Sequence, residues 1–412
     1  MTIKAKPVHA QMDQFPVQNG ELLIGGITAT TLSQQLGRTP FYAYDRQLIT
    51  ERVQLLRQFL PADIHLHYAI KANPMPEVVQ HLAGLVDGFD LASIGELEVA
   101  LGTDMPSHLI SFAGPGKTDE ELKQAISAGI IINMESPGEM RRIARHADEL
   151  GTTPKVAIRV NPDYELKASG MKMGGGPKQF GIDAEIVPET LQELKSLNLD
   201  FNGFHIFWGS QNLSEAAIME AHEKTFNLAI RLNEHVPSAV KLLNIGGGLG
   251  IPYFPGEKRL DLKPISDNLH RLLPTLKSHL PDAEIATELG RFIVGEAGVY
   301  ICKVIDKKIS RGETFLVTDG GLHHHLAASG NFGQVIRKNY PVAIANKMHS
   351  KVSEVVNIVG PLCTPLDILA NKMELSQADV GDLVCVYQSG AYGMTASPTA
   401  FLSHPMCREI LV

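Results

Sequence analysis

Apolar residues along this chain fall into short runs separated by longer amphipathic stretches, and the alternation is regular enough to predict an architecture. Residues 47–60 (QLITERVQLLRQFL) place apolar side chains at helical spacing. Beyond them eight runs read as strands, at 64–70, 88–92, 109–113, 130–134, 155–161, 201–208, 241–246 and 284–289. Amphipathic segments at 74–86, 118–128, 137–150, 214–236 and 264–279 separate most of them and predict helices. Strand and helix in alternation specify the α/β class, because each helix carries the chain back to start the next parallel strand. Eight such strands match a (β/α)8 TIM-type barrel, and an open doubly wound sheet shares the rhythm and stays open as an alternative.

Past Arg291 the pattern changes. Runs at 298–305, 314–319, 353–359 and 382–388 follow without long helices between them, which predicts a second, mostly antiparallel domain of β-barrel type. Residues 21–45 hold two strand-like runs, ELLIGGI and PFYAYD, on either side of a short helix, so the N-terminal segment is expected to join that domain. The expected division is residues 39–291 as the barrel, with 1–38 and 292–412 as the β domain.

Composition narrows the function classes. A 412-residue chain with 44% hydrophobic and 20% charged residues has the apolar content for two full cores. Its net charge of −8, without lysine or arginine runs, argues against nucleic acid or an anionic membrane as partner. The four cysteines, at 302, 363, 385 and 407, form neither a disulfide framework nor a CxxC metal pattern, which suits a reducing cytoplasm. The first sixteen residues lack the apolar core of a secretory signal, and no apolar run is long enough to span a bilayer.

Candidate chemistry collects where strands end, the side of such a barrel that carries active sites. Lys71 follows the first strand in HYAIKAN, Asp90 closes the second, Arg159 ends the fifth, and Glu288 ends the last. Buried polar residues on separate strands are costly as packing, and converging on one site removes the difficulty. The run NIGGGLG (244–250) offers consecutive backbone N–H groups that suit a phosphate, although glycine clusters serve tight turns as often. An amine, a phosphate cradle and a carboxylate together suggest a Schiff-base lysine holding pyridoxal phosphate (PLP). Glu288 in TELGR then faces the ring nitrogen, unless it forms an ordinary salt bridge with Arg291. His205 and Phe207, two apart on one strand, face the same way, so that one can stack on the cofactor while Ser210 meets its phosphate. The alternative is an ordinary core phenylalanine beside a hydrogen-bonded histidine. The triple histidine 323–325 is not read as a metal site, since neighbours on a strand point to opposite faces; substrate lining or an interface is expected.

In combination, YAIKAN (68–73), FDLASIGEL (89–97), SFAGPGK (111–117), GGGLG (246–250), ELGR (288–291), GPLC (360–363) and SGAYG (389–393) resemble the fold type III PLP-dependent decarboxylases, which include ornithine, arginine and diaminopimelate decarboxylases. The resemblance runs from about residue 38 to the C-terminus. It implies a homodimer with shared active sites. It also implies Lys71 as the Schiff-base lysine, Glu288 as partner of the pyridine nitrogen, and Asp90 and Arg159 as supporting polar groups. Ser210, Gly247, Gly248, Gly290 and Arg291 would hold the phosphate with Tyr392 near it, and Cys363 would serve the neighbouring chain's site as acid. The carboxylate at the ring nitrogen favours decarboxylation; related racemases carry an arginine there.

Some positions depart from the family pattern. Phe207 stands where the family has a stacking histidine, ELGR replaces EPGR, and Thr364 follows Cys363 where an acidic residue is usual. The RPALY-type segment of diaminopimelate enzymes is replaced by HHHLAASGNFGQVIRKNYP, so that substrate is disfavoured. The loop MKMGGGPKQFGID (171–183), the HHH run and GPLCTPLDIL (360–369) resemble instead a subgroup acting on aminoacyl groups tethered to carrier proteins, and relatives encoded with exosortase systems. The expected substrate is an L-amino acid, free or carrier-bound, with Thr364, Asp367 and His324 as candidates to face it.

Overall fold

The computed structural model describes residues 7–165 and 171–412, so the first six residues of the polar leader lie outside the described residues. The chain divides into two units by its internal contacts. One holds residues 53–250 and 260–290, and the other holds 1–52, 251–259 and 291–412.

The first unit is a closed barrel. Its strands are β1 (Ile64–Ala69), β2 (Gly88–Leu91), β3 (Ile110–Phe112), β4 (Ile131–Met134), β5 (Lys155–Asn161), β6 (Asp200–Ile206), β7 (Leu242–Gly247) and β8 (Glu284–Leu289). Each pairs in parallel with the next, and β8 pairs with β1 to complete the ring, which excludes the open sheet. The helices between them start and stop on local signals. Asp119–Ala128 opens with Thr118 accepting the Glu121 N–H while the Glu121 carboxylate accepts the Thr118 N–H, and it closes on Gly129 at φ 71°. Two short helices, Ile94–Leu101 and Val187–Leu194, escape the periodicity because eight residues give barely two turns to read.

The second unit is built on β9 (Gly298–Ser310) and β10 (Glu313–Thr318), followed by β11 (Val342–Ile344), β12 (Ser353–Val359), β13 (Ile368–Ser376), β14 (Leu383–Val386) and β15 (Arg408–Leu411). Pairing is mostly antiparallel, but β10–β12 and the pairing of strand Phe41–Tyr44 with β15 are parallel. Strand Phe41–Tyr44 pairs with Gly298–Ile301 of β9 and with β15, so the N-terminal segment does join this sheet. Helix Ala29–Leu36 packs below it, with Leu32, Phe41, Val299, Ile301 and Cys385 sharing one core. The short strands β11 and β15 carry too few residues to stand out in the sequence.

Candidate active site

Inside the barrel, Ile131, Ala157, Leu242 and Ala286 form an apolar cluster. Side chains alternate faces along a strand, so two residues further along the same four strands the inward positions are Asn133, Arg159, Asn244 and Glu288. All four are buried. A polar layer thus sits on an apolar one, on the C-terminal side of the barrel, and His67, Asp90, Ser111 and His205 add to it from the other strands. Four polar residues buried on four strands require partners.

Glu288 and Asp90 are the anions of this layer. His205 Nε2 lies 3.2 Å from Glu288 Oε2, close enough for strong attraction although off the line of a good hydrogen bond. Burial works to raise the Glu288 carboxyl, but the neighbouring His205, Lys71 and Arg159 outweigh it and hold the group below the ordinary carboxylate range. Asn244 Nδ2 stands 3.3 Å from both Glu288 Oε2 and Asp90 Oδ1. Ser111 donates to Asp90 Oδ1 at 2.5 Å and accepts from Asn133 Nδ2 at 3.1 Å. The Asn244 side-chain Oδ1 in turn accepts the Gly246 N–H at 2.8 Å, tying the carboxylates to the glycine turn.

Lys71 occupies a single 3-10 turn, Ile70–Ala72, directly after β1, and its Nζ is 6.0 Å from the centre of the Phe207 ring. Phe207 is not on the strand with His205, as the sequence suggests. β6 ends at Ile206, and Phe207 and Trp208 lead into a short ladder of Gly209–Ser210 with Met171–Lys172. Leaving the strand lets the ring turn toward Lys71 while His205 stays in the barrel. Gly247 and Gly248 have no room for a side chain, since a Cβ would strike the Glu288 carbonyl at one and the Gly209 carbonyl at the other, where φ is also 80°. Gly290 packs closely on Ala72, one residue beyond Lys71.

Arg159 is fixed by a residue that the sequence does not single out. Glu135, one residue past β4, accepts from Arg159 Nη1 at 2.7 Å, from the Gly114 N–H at 2.6 Å and from the Gly181 N–H at 2.7 Å. Lys117 and Glu139 pair beside it at 2.8 Å. Glu96, inside the quoted FDLASIGEL motif, is a second omission: burial raises its carboxyl while Lys71 lowers it. Position just after a barrel strand was the available signal for Glu135, but a Glu next to Ser-Pro reads equally as a helix start.

The remaining candidates lie in the other unit. Arg291 donates to Tyr253 OH at 2.8 Å and stacks 4.7 Å from the Tyr392 ring, with its Nε buried and without a hydrogen bond. Cys363 is exposed, while Cys302, Cys385 and Cys407 are buried. Thr364 is half-buried beside it. Asp367 is buried, and its carboxylate accepts the N–H groups of Leu322 at 2.6 Å and Leu362 at 2.9 Å, bracketing two loops. His324 is likewise held inside. It is buried, its Nε2 meets the Pro405 carbonyl at 2.9 Å, and its own carbonyl accepts from Tyr42 OH. Residues 323–325 form a turn rather than a strand, and all three rings are inside.

Unpartnered polar atoms show what the barrel layer accommodates. His205 Nδ1 is buried without a hydrogen bond and Asp90 Oδ2 has only His67 Nδ1 near it at 3.4 Å, at the end of the barrel that carries an amine, a carboxylate, an aromatic ring and a glycine turn. That set fits a group with an aldehyde, a basic ring nitrogen, a flat ring and a phosphate, which is PLP.

Comparison with known proteins agrees. The family model for the pyridoxal binding domain of pyridoxal-dependent decarboxylases matches residues 46–295. The L-glutamyl-[BtrI acyl-carrier protein] decarboxylase of Niallia circulans is 37% identical over 90% of this chain and 88% of its own. Diaminopimelate decarboxylase of Aquifex aeolicus is 34% identical over 96% of this chain and 91% of its own. The structure of M. jannaschii diaminopimelate decarboxylase with L-lysine superposes with a TM-score of 0.86 at 27% identity, covering 97% and 93% of the two chains.

Proposed function

Since this chain belongs to the fold type III PLP-dependent decarboxylases, we propose that it removes the α-carboxyl of an L-amino acid presented as an aminoacyl conjugate on a carrier protein. When bound, PLP supplies an aldehyde that joins amines and a ring that takes up the electron pair released by departing CO2. Lys71 is the amine that holds the cofactor. Glu288 would hold a proton at the ring nitrogen; that its buried carboxylate is kept ionised by cationic neighbours is the observation that carries decarboxylation over a racemase reading. Asn244 and His205 orient that carboxylate, and Phe207 offers the stacking face. Gly247, Gly248, Ser210 and Gly290 hold the phosphate. Glu135 locks Arg159 in place as a supporting charge.

The carrier-bound substrate is supported by Thr364 in place of an acidic residue, which leaves no anion after Cys363 for a distal amine. The 37% identical relative acts on a carrier-bound glutamyl group. Cys363 supplies the proton that replaces CO2, and it does so in a second copy's site. Its loop is flanked by an apolar surface, with Leu366 58% exposed, and Asn331 bonds to the Leu366 carbonyl, bringing along Val335 and Ile336 at 100% and 77% exposure. A homodimer covers such a surface.

Borohydride reduction of the holoprotein, then peptide mapping, should leave a pyridoxyl tag on Lys71. Carbon dioxide release is then compared between a carrier-loaded glutamyl thioester and free L-amino acids; prompt release from free ornithine, lysine or diaminopimelate alone rejects the tethered substrate. Mixing inactive Lys71→Ala and Cys363→Ala proteins should restore about a quarter of the activity if sites are shared, because half the dimers are mixed and each has one intact site. No restoration on mixing rejects sharing.

A further inference from the structure

His67 is a buried titratable group that the mechanism above does not use. It sits on β1 with its Nδ1 3.4 Å from Asp90 Oδ2, the oxygen that otherwise has no hydrogen bond. On its other side is a cavity of about 360 Å³ at the N-terminal ends of the barrel strands, lined by His67, Ser111, His108, Lys155, Lys241 and Glu284. The ring edge lies against Gly88, where a Cβ would stand 2.7 Å from its Nε2. A side chain at 88 would thus push the imidazole off Asp90.

Asp90 and Glu288 present a difficulty that His67 resolves. One amide nitrogen, Asn244 Nδ2, lies 3.3 Å from an oxygen of each. Two carboxylates this close in a buried setting do not both stay ionised without compensating charge, and one takes up a proton. Glu288 has His205, Lys71 and Arg159 as compensating charges. Asp90 has His67 within ion-pair distance.

We propose that His67 is a positioning residue that acts through Asp90: its imidazolium keeps Asp90 ionised, so Asp90 neither competes for the proton Glu288 holds for the cofactor nor draws Asn244 away from Glu288. The cavity lets His67 exchange its proton with solvent from the end of the barrel opposite the cofactor. The charged and titratable groups facing His67 are Asp90 from β2, Asp87 just before β2 and Glu288 from β8. Across the cavity stand His108, Lys155, Lys241, Asp282 and Glu284. Burial disfavours the imidazolium, but Asp90, Glu288 and Asp87 outweigh it and raise the group above its ordinary value. The inference rests on the reading of Glu288 as the carboxylate that meets the cofactor ring.

Infrared difference spectra of the apoprotein provide a test independent of turnover. His67→Gln should show a protonated-carboxyl band at neutral pH that the parent lacks. Its affinity for PLP should weaken about tenfold, equivalent to one pKa unit of lost interaction. Adding Asp90→Asn to His67→Gln removes the carboxyl that takes up this proton, so the double variant should lose the band and regain affinity. A packing role for His67 predicts instead that the double variant binds more weakly than either single one. If no band appears in folded His67→Gln, or Asp90→Asn fails to rescue affinity, the proposal is overturned. A borohydride tag on Lys71 alongside that failure leaves the site reading intact, whereas a tag elsewhere overturns both.

Discussion

Two histidine-rich regions of this protein solve burial in opposite ways. In the barrel, His67 and His205 face carboxylates at 3.4 and 3.2 Å, so charge offsets charge and oxygen atoms remain available at one rim. In the other unit, His325 is buried among Tyr42, Tyr300 and Tyr340, with no carboxylate beside it among the described residues. Its Nδ1 accepts the Ala328 N–H at 3.2 Å and its Nε2 donates to Ser389 Oγ at 2.9 Å, which uses both nitrogens of a neutral ring. Burial alone lowers it to about 3. The same residue type is therefore poised for chemistry where an anion is its neighbour and is a packing element where backbone and hydroxyl groups satisfy it.

The largest test of that contrast is Glu288→Gln. It should lower kcat by about 10²–10³-fold, the usual effect of removing one charge aimed at a reacting centre. His325→Gln should leave turnover of the folded protein within about twofold while lowering Tm, because no unsatisfied valence there faces a substrate. Loss of turnover in His325→Gln at unchanged Tm would break the comparison.

Next in size is Asp367→Asn. A charged acceptor serving two buried N–H groups contributes about 1.5–3 kcal/mol per bond, so chemical denaturation should show a loss of that order and kcat should hold. If kcat falls with stability unchanged, Asp367 is a substrate contact after all.

Acid sharpens the comparison further, since the two regions respond with opposite sign. His325, lowered to about 3, stays neutral in the fold while the unfolded chain takes up protons below about 6.5. Stability should thus fall as pH drops from about 6.5 toward 4, by about 1.4 kcal/mol per pH unit for this ring. His67 is raised, so its contribution is complete below the unfolded value and is lost as pH rises through the folded one. Denaturation at several pH values in His325→Gln and His67→Gln should flatten the acid limb in the first and the neutral limb in the second.

The smallest effect is expected for Tyr42→Phe, which removes the bond to the His324 carbonyl at 2.7 Å and should lower stability by about 1 kcal/mol without altering cofactor binding.

Much of this was legible in the sequence. All eight barrel strands follow from apolar runs, because a strand covered on both faces must be apolar nearly throughout, and Lys71, Asp90, Arg159 and Glu288 follow from their places at strand ends. Ser111, Asn133 and Asn244 did not stand out, since a single polar residue inside an apolar run carries no sign of which way it points. Phe207 was placed on the wrong side of a strand end, which local pattern defines only to within a residue or two.

Sequence alone determined the alternation of elements and the residues able to perform chemistry, because periodicity and side-chain type are local properties. Which of those residues share charge was decided only by closing the barrel. Closure sets Asp90 of β2, Asn244 of β7 and Glu288 of β8 within one hydrogen-bonded group across nearly two hundred residues of chain, while Asp367 and His324 were turned inward to hold loops. A carboxylate's role depends on what compensates its charge after burial, and that neighbour is supplied by the fold.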